Sequence, residues 1–438
     1  MGFIDKSTSI FRIPELRRRI LFTLALLVVF RVGSYVPVPG INSLALADAL
    51  GRMKGTLLGL YDMFAGGAFS RATVFALGIM PYISASIILQ LLTAVIPYFE
   101  KLQKEGEEGR KKITQYTRYG TVLLSIIQGY GISIFLENMP VASASPIVPI
   151  GGIGFRLMTT MTLTAGTIFL MWLGEQISDK GIGNGISLLI FTGIIARYPN
   201  DWLRTYESMR VGSMKLFTLI FLAILMIFII ASVIVMTQAM RKIPVQYAKR
   251  VIGRRVYGGQ STHIPLRVNT AGVIPIIFAQ SILMFPSSIA TFFGRTGFME
   301  TFSNYMKPSG VVYNILYCII IVFFTYFYTA IVFNPSDLAD NMQKYGGFIP
   351  GIRPGKKTSE YIDRVLTRVT LPGAFFLAFI AILPSIFIYK FQAPFYFGGT
   401  GLLIVVGVAL DTLQQIESHL IMRHYEGFLK KGKLRGRR

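Results

Sequence analysis

Cysteine occurs once, tryptophan twice and histidine three times in this chain of 438 residues, and each scarcity removes a class of protein. A lone Cys318 forms no intrachain disulfide, so a secreted scaffold stapled by bridges is excluded. His263, His419 and His424 are too few for a His-rich metal centre. Charge is thin as well: Asp, Glu, Lys and Arg make up 15% of the chain, where a soluble domain carries about 25%. With 53% hydrophobic residues, that excludes an ordinary cytosolic enzyme and a disordered tail protein. The charge present leans one way, with 44 Lys and Arg against 21 Asp and Glu and a net of +23. A soluble protein this basic is a candidate for nucleic-acid binding, but a mean hydropathy of +0.55 calls for a lipid phase.

A bilayer core of about 30 Å needs about 20 apolar residues in helix. Ten runs qualify as candidates: Ile20 to Pro37, Thr73 to Pro97, Tyr119 to Leu136, Leu157 to Leu173, Gly181 to Ala196, Leu216 to Met236, Val268 to Phe293, Ser309 to Asn334, Val369 to Tyr389 and Phe391 to Leu410. Arg31 is the one charged residue within them. The fifth and tenth are the weakest, being short and opened by glycines. Arg17, Arg18 and Arg19 lead into a first run that ends in Val36-Pro37-Val38-Pro39-Gly40 without a small-residue cleavage site, so it reads as a retained span. An even number of spans puts both termini on one side. About three quarters of the Lys and Arg fall in the loops of that side, which makes it cytosolic.

Topology and attraction to anionic lipid account for the basic N-terminal arm. They account less well for the loop from Thr237 to Asn269, which holds Arg241, Lys242, Lys249, Arg250, Arg254, Arg255 and Arg267 and no acid. A second long loop, Asn334 to Arg368, contains Pro350-Gly351-Ile352-Arg353-Pro354-Gly355, a stiff turn that holds an Arg away from the membrane, followed by Lys356 and Lys357. Two such loops on one face indicate a docking surface for a large cytosolic partner, with RNA phosphates among the contacts it could make.

Gly78-Ile79-Met80-Pro81-Tyr82-Ile83-Ser84-Ala85-Ser86-Ile87-Ile88-Leu89 aligns with Gly272-Val273-Ile274-Pro275-Ile276-Ile277-Phe278-Ala279-Gln280-Ser281-Ile282-Leu283. These stretches lie in the second and seventh runs, the second of five in each half. Five is odd, so the repeat is inverted, as in many membrane conduits. Pro81 and Pro275 are expected to kink their helices. Ser84, Ser86, Gln90 and Thr93 on one, and Gln280 and Ser281 on the other, are expected to face protein or water, flanking a polar passage or a seam that opens. The fold class expected is an all-α integral membrane protein of ten transmembrane helices in two inverted, pseudo-symmetric halves around a central pore.

The spans lack the acids, lysines or histidines that ion-coupled transport requires. An aliphatic conduit can still gate by being narrow and dry. Before the second run, Thr56 to Arg71 is apolar, too short to span and broken by Gly59, Gly66 and Gly67. It reads either as an interfacial helix on the outer leaflet or as a re-entrant element filling an outer vestibule. Catalytic motifs fail: Gly347 to Thr358 is no phosphate loop, because Pro350 stands where its first glycine belongs and Lys357 follows Lys356. Gly181-Ile182-Gly183-Asn184-Gly185 lacks dinucleotide spacing, and no His-Glu-x-x-His or Gly-x-Ser-x-Gly occurs. Catalytic residues, metal sites and cofactors are therefore expected to be absent.

Several stretches in fixed order resemble the SecY family, the central subunit of the bacterial Sec protein translocase. They are Met80 to Ile87, Asp179 to Ser187, Gly253-Arg254-Arg255-Val256-Tyr257 with Gln260-Ser261-Thr262-His263, Asn269 to Pro275, and Phe348 to Gly355. The resemblance covers nearly the whole chain. It implies an hourglass pore closed by a ring at Ile83, Ile87, Ile186, Ile190, Ile277 and Ile404, all isoleucine in this sequence. It implies a plug at about residues 57–70, with Leu57, Leu58, Leu60, Tyr61, Met63, Phe64, Ala65, Gly66 and Gly67. A lateral gate would lie between the second and third helices and the seventh and eighth, where the six polar residues named above sit. Arg254, Arg255 and Arg353 match basic positions the family uses for ribosome or motor contact, and Arg250, Lys356 and Lys357 extend that surface.

On this resemblance the chain divides into a cytosolic arm (1–19), a first half (20–196), an external hinge (197–215), a second half (216–410) with cytosolic loops 237–269 and 334–368, and a basic tail (411–438). Implied partners are the small membrane subunits SecE and SecG, the SecA motor ATPase, the ribosome, unfolded preproteins with their signal sequences, and membrane lipids including anionic ones. The location implied is the bacterial inner membrane. A secondary transporter with inverted repeats is the alternative, and a membrane-embedded enzyme a third reading.

Overall fold

The computed structural model describes residues 13–52, 61–62, 65–139, 146–212, 215–247, 250–252, 255–257, 261–293, 310–391 and 399–431. In chain order the helices are α1 (Pro14–Gly33), α2 (Ser43–Arg52), α3 (Met80–Val95), α4 (Pro97–Lys104), α5 (Glu107–Glu137), α6 (Ile153–Lys180), α7 (Gly185–Ile195), α8 (Tyr198–Arg210) and α9 (Leu216–Gln238). Strands β1 (Met240–Tyr247), β2 (Arg250–Ile252), β3 (Arg255–Tyr257) and β4 (Ser261–Arg267) follow. Then come α10 (Ile274–Phe293), α11 (Val311–Val332), α12 (Pro335–Lys344), β5 (Gly347–Phe348), α13 (Lys356–Phe391) and α14 (Gly399–Lys431). Helices cover part of each of the ten expected runs. Among the described residues, six helical stretches are long and apolar enough to cross a membrane, or seven if α3 and α4, bent by 97° at Ile96, count as one.

Neither expected proline kink forms. Pro81 and Pro275 are the second residues of α3 and α10, where the missing N–H is one the first turn leaves unbonded anyway. The second run accordingly starts at Met80 rather than Thr73, and residues 65–79 form turns in which Gly66, Gly67, Ala72 and Gly78 all take positive φ. The tenth run is the least apolar of the six spanning stretches, as expected, but its helix is shifted: Phe391 closes α13, and α14 opens at Gly399 and continues past Leu410 to Lys431. The fifth is short, with 11 residues in α7.

The expectation of an all-α protein is corrected by a small sheet. β1 pairs antiparallel with β4 along its length and, through Gln246 and Tyr247, with β5, giving the order β4-β1-β5. The pattern has period two over Ile243-Pro244-Val245, with Ile243 and Val245 buried and their neighbours exposed. The charge of the loop masked that short alternation in the sequence.

Chain contacts define two compact units, the first from the described residues of 1–207, 281–310 and 408–438, the second from those of 208–280 and 311–407. The first unit packs helices through small residues, as membrane helices do. A Cβ on Gly120 would lie 3.3 Å from Ala85 Cβ, and one on Gly129 3.5 Å from Thr160 Cα, bringing α5 close to α3 and α6. In the second unit, Phe278 of α10 meets Phe324 and Tyr328 of α11 edge-on at 5.7 and 6.3 Å. Gly373 of α13 lies against the Val268 carbonyl. Beneath the sheet, Ile243, Val245, Leu266, Met342, Ile349 and Ile362 form a core drawn from both expected cytosolic loops and α13.

Candidate functional site

In the first unit, Ile83 and Ile87 stand one turn apart on α3, 3% and 1% exposed. Ile190 of α7 is 1% exposed, and Ile186, one turn earlier, is half-buried with its tip over Gly174 of α6. In the second unit Ile277 of α10 and Ile404 of α14 are also buried. Val273, one turn before Ile277, packs on Gly407, one turn after Ile404. Five of the six are thus buried within the protein and Ile186 is half-buried, which their side chains alone would not require.

Of the expected plug, Leu57, Leu58, Leu60, Met63 and Phe64 lie outside the described residues. The described part is buried in the first unit rather than laid out as a surface helix: Tyr61, Asp62, Ala65, Ala68 and Phe69 are all buried. Gly66 sits so close to Gly193 of α7 that a Cβ would lie 2.8 Å from Gly193 Cα. Only glycine tolerates that approach at φ +65°. The Tyr61 hydroxyl donates to the Leu77 carbonyl at 3.2 Å. Arg31, the single charge within the runs, donates to the Tyr35 hydroxyl at 2.7 Å and to the Gly66 carbonyl at 3.5 Å. The Arg31 and Arg71 guanidiniums both lie against the Tyr35 ring, 4.8 and 4.3 Å from its centre.

The polar residues expected at the gate are withdrawn from lipid to different degrees. Ser84, Thr93, Gln280 and Ser281 are buried, while Ser86 and Gln90 are half-buried and joined by a 3.2 Å bond from the Gln90 amide to the Ser86 hydroxyl. The Thr93 hydroxyl donates to the Gln90 carbonyl at 2.7 Å. Among the described residues, Gln280 Oε1 is buried without a hydrogen-bond partner.

The glycine stretch before α7 proves to be a packing knot. The Ile182 N–H donates to Thr23 Oγ1 at 3.0 Å, Gly183 N–H to Gln415 Oε1 at 2.9 Å, and Gly185 N–H to Ser178 Oγ at 2.9 Å. Asn184 caps α7 by accepting from the Ser187 N–H at 3.2 Å. Thr23, Ser178 and Gln415 were not legible as members of this knot, because they lie on three separate helices. Asp62 and Arg197, joined at 3.4 Å, were missed too. The legible signal was a lone acid in an apolar run, which must find a partner.

On the two basic loops, β2 and β3 pair with Arg250 opposite Tyr257 and Arg255 opposite Ile252, while Arg254 lies outside the described residues. Arg353, Lys356 and Lys357 are exposed. The Arg353 carbonyl accepts from Thr358 Oγ1 at 3.0 Å, and Lys357 pairs with Glu360 at 3.0 Å. Arg353 therefore stands on a turn bonded to α13 and continuous with β5.

Comparison with known proteins identifies the family and the fold. The SecY family model matches residues 73–413. The protein translocase subunit SecY of Escherichia coli K12 is 50% identical over 425 residues, 96% of each chain. That of Thermotoga maritima is 48% identical over 433 residues, 98% of each. A solved protein-conducting channel superposes with a TM-score of 0.64 at 18% identity, covering 99% of this chain and 100% of its own. Sec61 in a canine ribosome-channel complex gives 0.57, also at 18% identity and 99% of this chain. The helical framework thus has the fold of these channels, and its residues are shared at half of all positions with bacterial translocase subunits: the chain belongs to the SecY family.

Proposed function

We propose that this chain is the pore-forming subunit of a protein-conducting channel, moving unfolded polypeptides across the cytoplasmic membrane and releasing apolar segments sideways into lipid. The observation that carries the reading is that, in the first unit, the helix bearing Ile186 and Ile190 seats a buried, glycine-rich segment through Gly66 on Gly193, with no fixed charge in the runs except Arg31. An unfolded chain presents every side-chain type in turn, so aliphatic groups seal around it without a specific binding site. Ile83, Ile87, Ile186, Ile190, Ile277 and Ile404 form the constriction. The segment at about residues 57–70 plugs it. Ser84, Ser86, Gln90, Thr93, Gln280 and Ser281 line the lateral exit. A transporter coupled to an ion gradient would need titratable groups in the spans and is not favoured.

The full architecture in this reading is ten spans in inverted halves, 20–196 and 216–410, joined through residues 197–215, with the arm 1–19, the tail 411–438 and both termini in the cytosol of a bacterium. The chain is a conduit and no catalyst. Work comes from the SecA motor ATPase or the translating ribosome docked on Arg250, Arg254, Arg255, Arg353, Lys356 and Lys357, and SecE, SecG and anionic lipid surround the spans. Replacing Ile83, Ile277 and Ile404 with Ser is expected to raise resting ion conductance in planar bilayers. Conductance equal to that of the unaltered channel refutes the ring.

A further inference from the structure

Asp62 is the single acid between Thr56 and Arg71, and it is 8% exposed. A carboxylate so placed is costly unless donors match its oxygens. Both are matched, by groups of different kinds. Oδ1 accepts from the Ser70 backbone N–H at 2.8 Å, which folds the segment on itself. Oδ2 accepts from Arg197 Nη1 at 3.4 Å, which ties the segment to the chain just past the end of α7. The two side chains are 12% and 24% exposed, so dissolved salt screens the pair weakly. Further attachments of the described residues in 61–70 include the Tyr61 hydroxyl on the Leu77 carbonyl, Arg31 on the Gly66 carbonyl, Thr73 on the Ala68 carbonyl and close packing such as Gly66 on Gly193.

We propose that Asp62 and Arg197 form a charge latch that sets how readily the re-entrant segment leaves its seat on α7. The inference rests on the reading of this segment as the plug. α7 also carries Ile186 and Ile190, so the latch fastens the plug to the helix that supplies part of the constriction. Lifting the segment separates two charges in poorly hydrated surroundings, which disfavours partial displacement and makes seating close to all-or-none. Asp62 and Arg197 are positioning residues; neither needs to touch the translocating chain.

Asp62→Asn isolates the latch, because the amide oxygen still accepts from the Ser70 N–H while the charge is gone. Arg197→Gln removes the opposite charge, and Arg197→Lys keeps it. The full chain with its small membrane subunits is measured for resting ion conductance in planar bilayers and for hydrogen exchange over residues 65–73. D62N and R197Q are each expected to raise both by about tenfold or more, R197K to stay within about threefold of the unaltered protein, and the double variant to add nothing to either single one. Unaltered exchange at residues 65–73 in D62N and R197Q overturns the latch, and so does an additive double variant, which assigns the residues to separate tasks. Ile83→Ser in the same bilayers reports on the constriction separately: a leak there beside silent D62N and R197Q sinks the latch and leaves the channel reading standing.

Discussion

Ile243→Ala tests whether the two basic loops act as one platform. Ile243 is 2% exposed, pairs across the sheet with Ile264, and shares a core with Val245, Leu266, Met342, Ile349 and Ile362. Truncation removes three carbons from a site walled by two strands and two helices, which cannot collapse freely, so the cost is about 2 to 4 kcal/mol. At 1.4 kcal/mol per decade, local opening of the platform becomes roughly 30- to 1,000-fold more frequent. Hydrogen exchange by mass spectrometry on the chain in lipid nanodiscs reads that directly. Peptides over residues 240–247 and 261–267 are expected to speed up by that factor, and those over residues 345–352 with them, because Ile349 leans on the same core and β5 hangs on Gln246 and Tyr247. Peptides from α6, in the other unit, should not change. Faster exchange in the hairpin with unaltered exchange at residues 345–352 refutes the shared core. Motor-driven translocation is expected to fall in I243A although no basic residue has been altered.

Gly185→Ala places a Cβ on the Gly174 carbonyl and beside Ile177, and backbone cannot rotate out of the way. A cost above about 1 to 3 kcal/mol is expected, read as a drop in the thermal midpoint in detergent; a midpoint equal to the unaltered protein's shows that α6 and α7 do not interlock as described. Glu137 accepts from Arg156 at 2.7 Å and from the Gly152 N–H at 2.7 Å, closing the connection between α5 and α6. Glu137→Gln and Arg156→Gln are each expected to cost about 1 to 3 kcal/mol, with the double variant costing less than their sum; strict additivity in thermal unfolding disproves a direct pair.

The helices were legible because a lipid-facing or buried helix has to be apolar over its length, and each of the ten runs announces itself without periodicity. Their ends were less legible. The missing N–H of Pro81 predicts a kink if helix precedes it and a start if turns do, and Gly78, at φ +59°, decides for the start. The strands were hidden for a different reason. β1 has only two buried side chains, and the three residues before the first of them are Met240, Arg241 and Lys242, whose charge reads as a docking loop. The candidate site divides along the same line. Ile83 and Ile277 were paired by the internal repeat, whereas the knot around Gly181 to Gly185 gathers donors and acceptors up to 232 residues apart, a distance no local pattern carries.

The platform also explains why a charge-poor conduit bears so basic a face. α9 runs into β1 through Ala239 alone, and the Val268 N–H donates to the Ala239 carbonyl at 2.9 Å, so the two strands leave the helical layer fastened together. β4 leads on to α10, α11 leads through α12 to β5, and β5 leads through the Arg353 turn to α13. Helices α9, α10, α12 and α13 therefore all connect to one sheet with one core. In the proposed docking, a partner on Arg353 and Lys356 would pull on a body whose parts cannot yield separately without exposing that core, and the pull would reach α10, which carries Ile277, through β4. Were the loops independent and flexible, the same basic residues would still bind a partner electrostatically, but its force would be spent in straightening loops. Positive charge supplies the attachment and the buried core beneath it supplies the stiffness, so the two must be lost separately by mutation: charge reversal at Arg353 abolishes docking with the sheet intact, and I243A keeps docking at low ionic strength while uncoupling it from translocation.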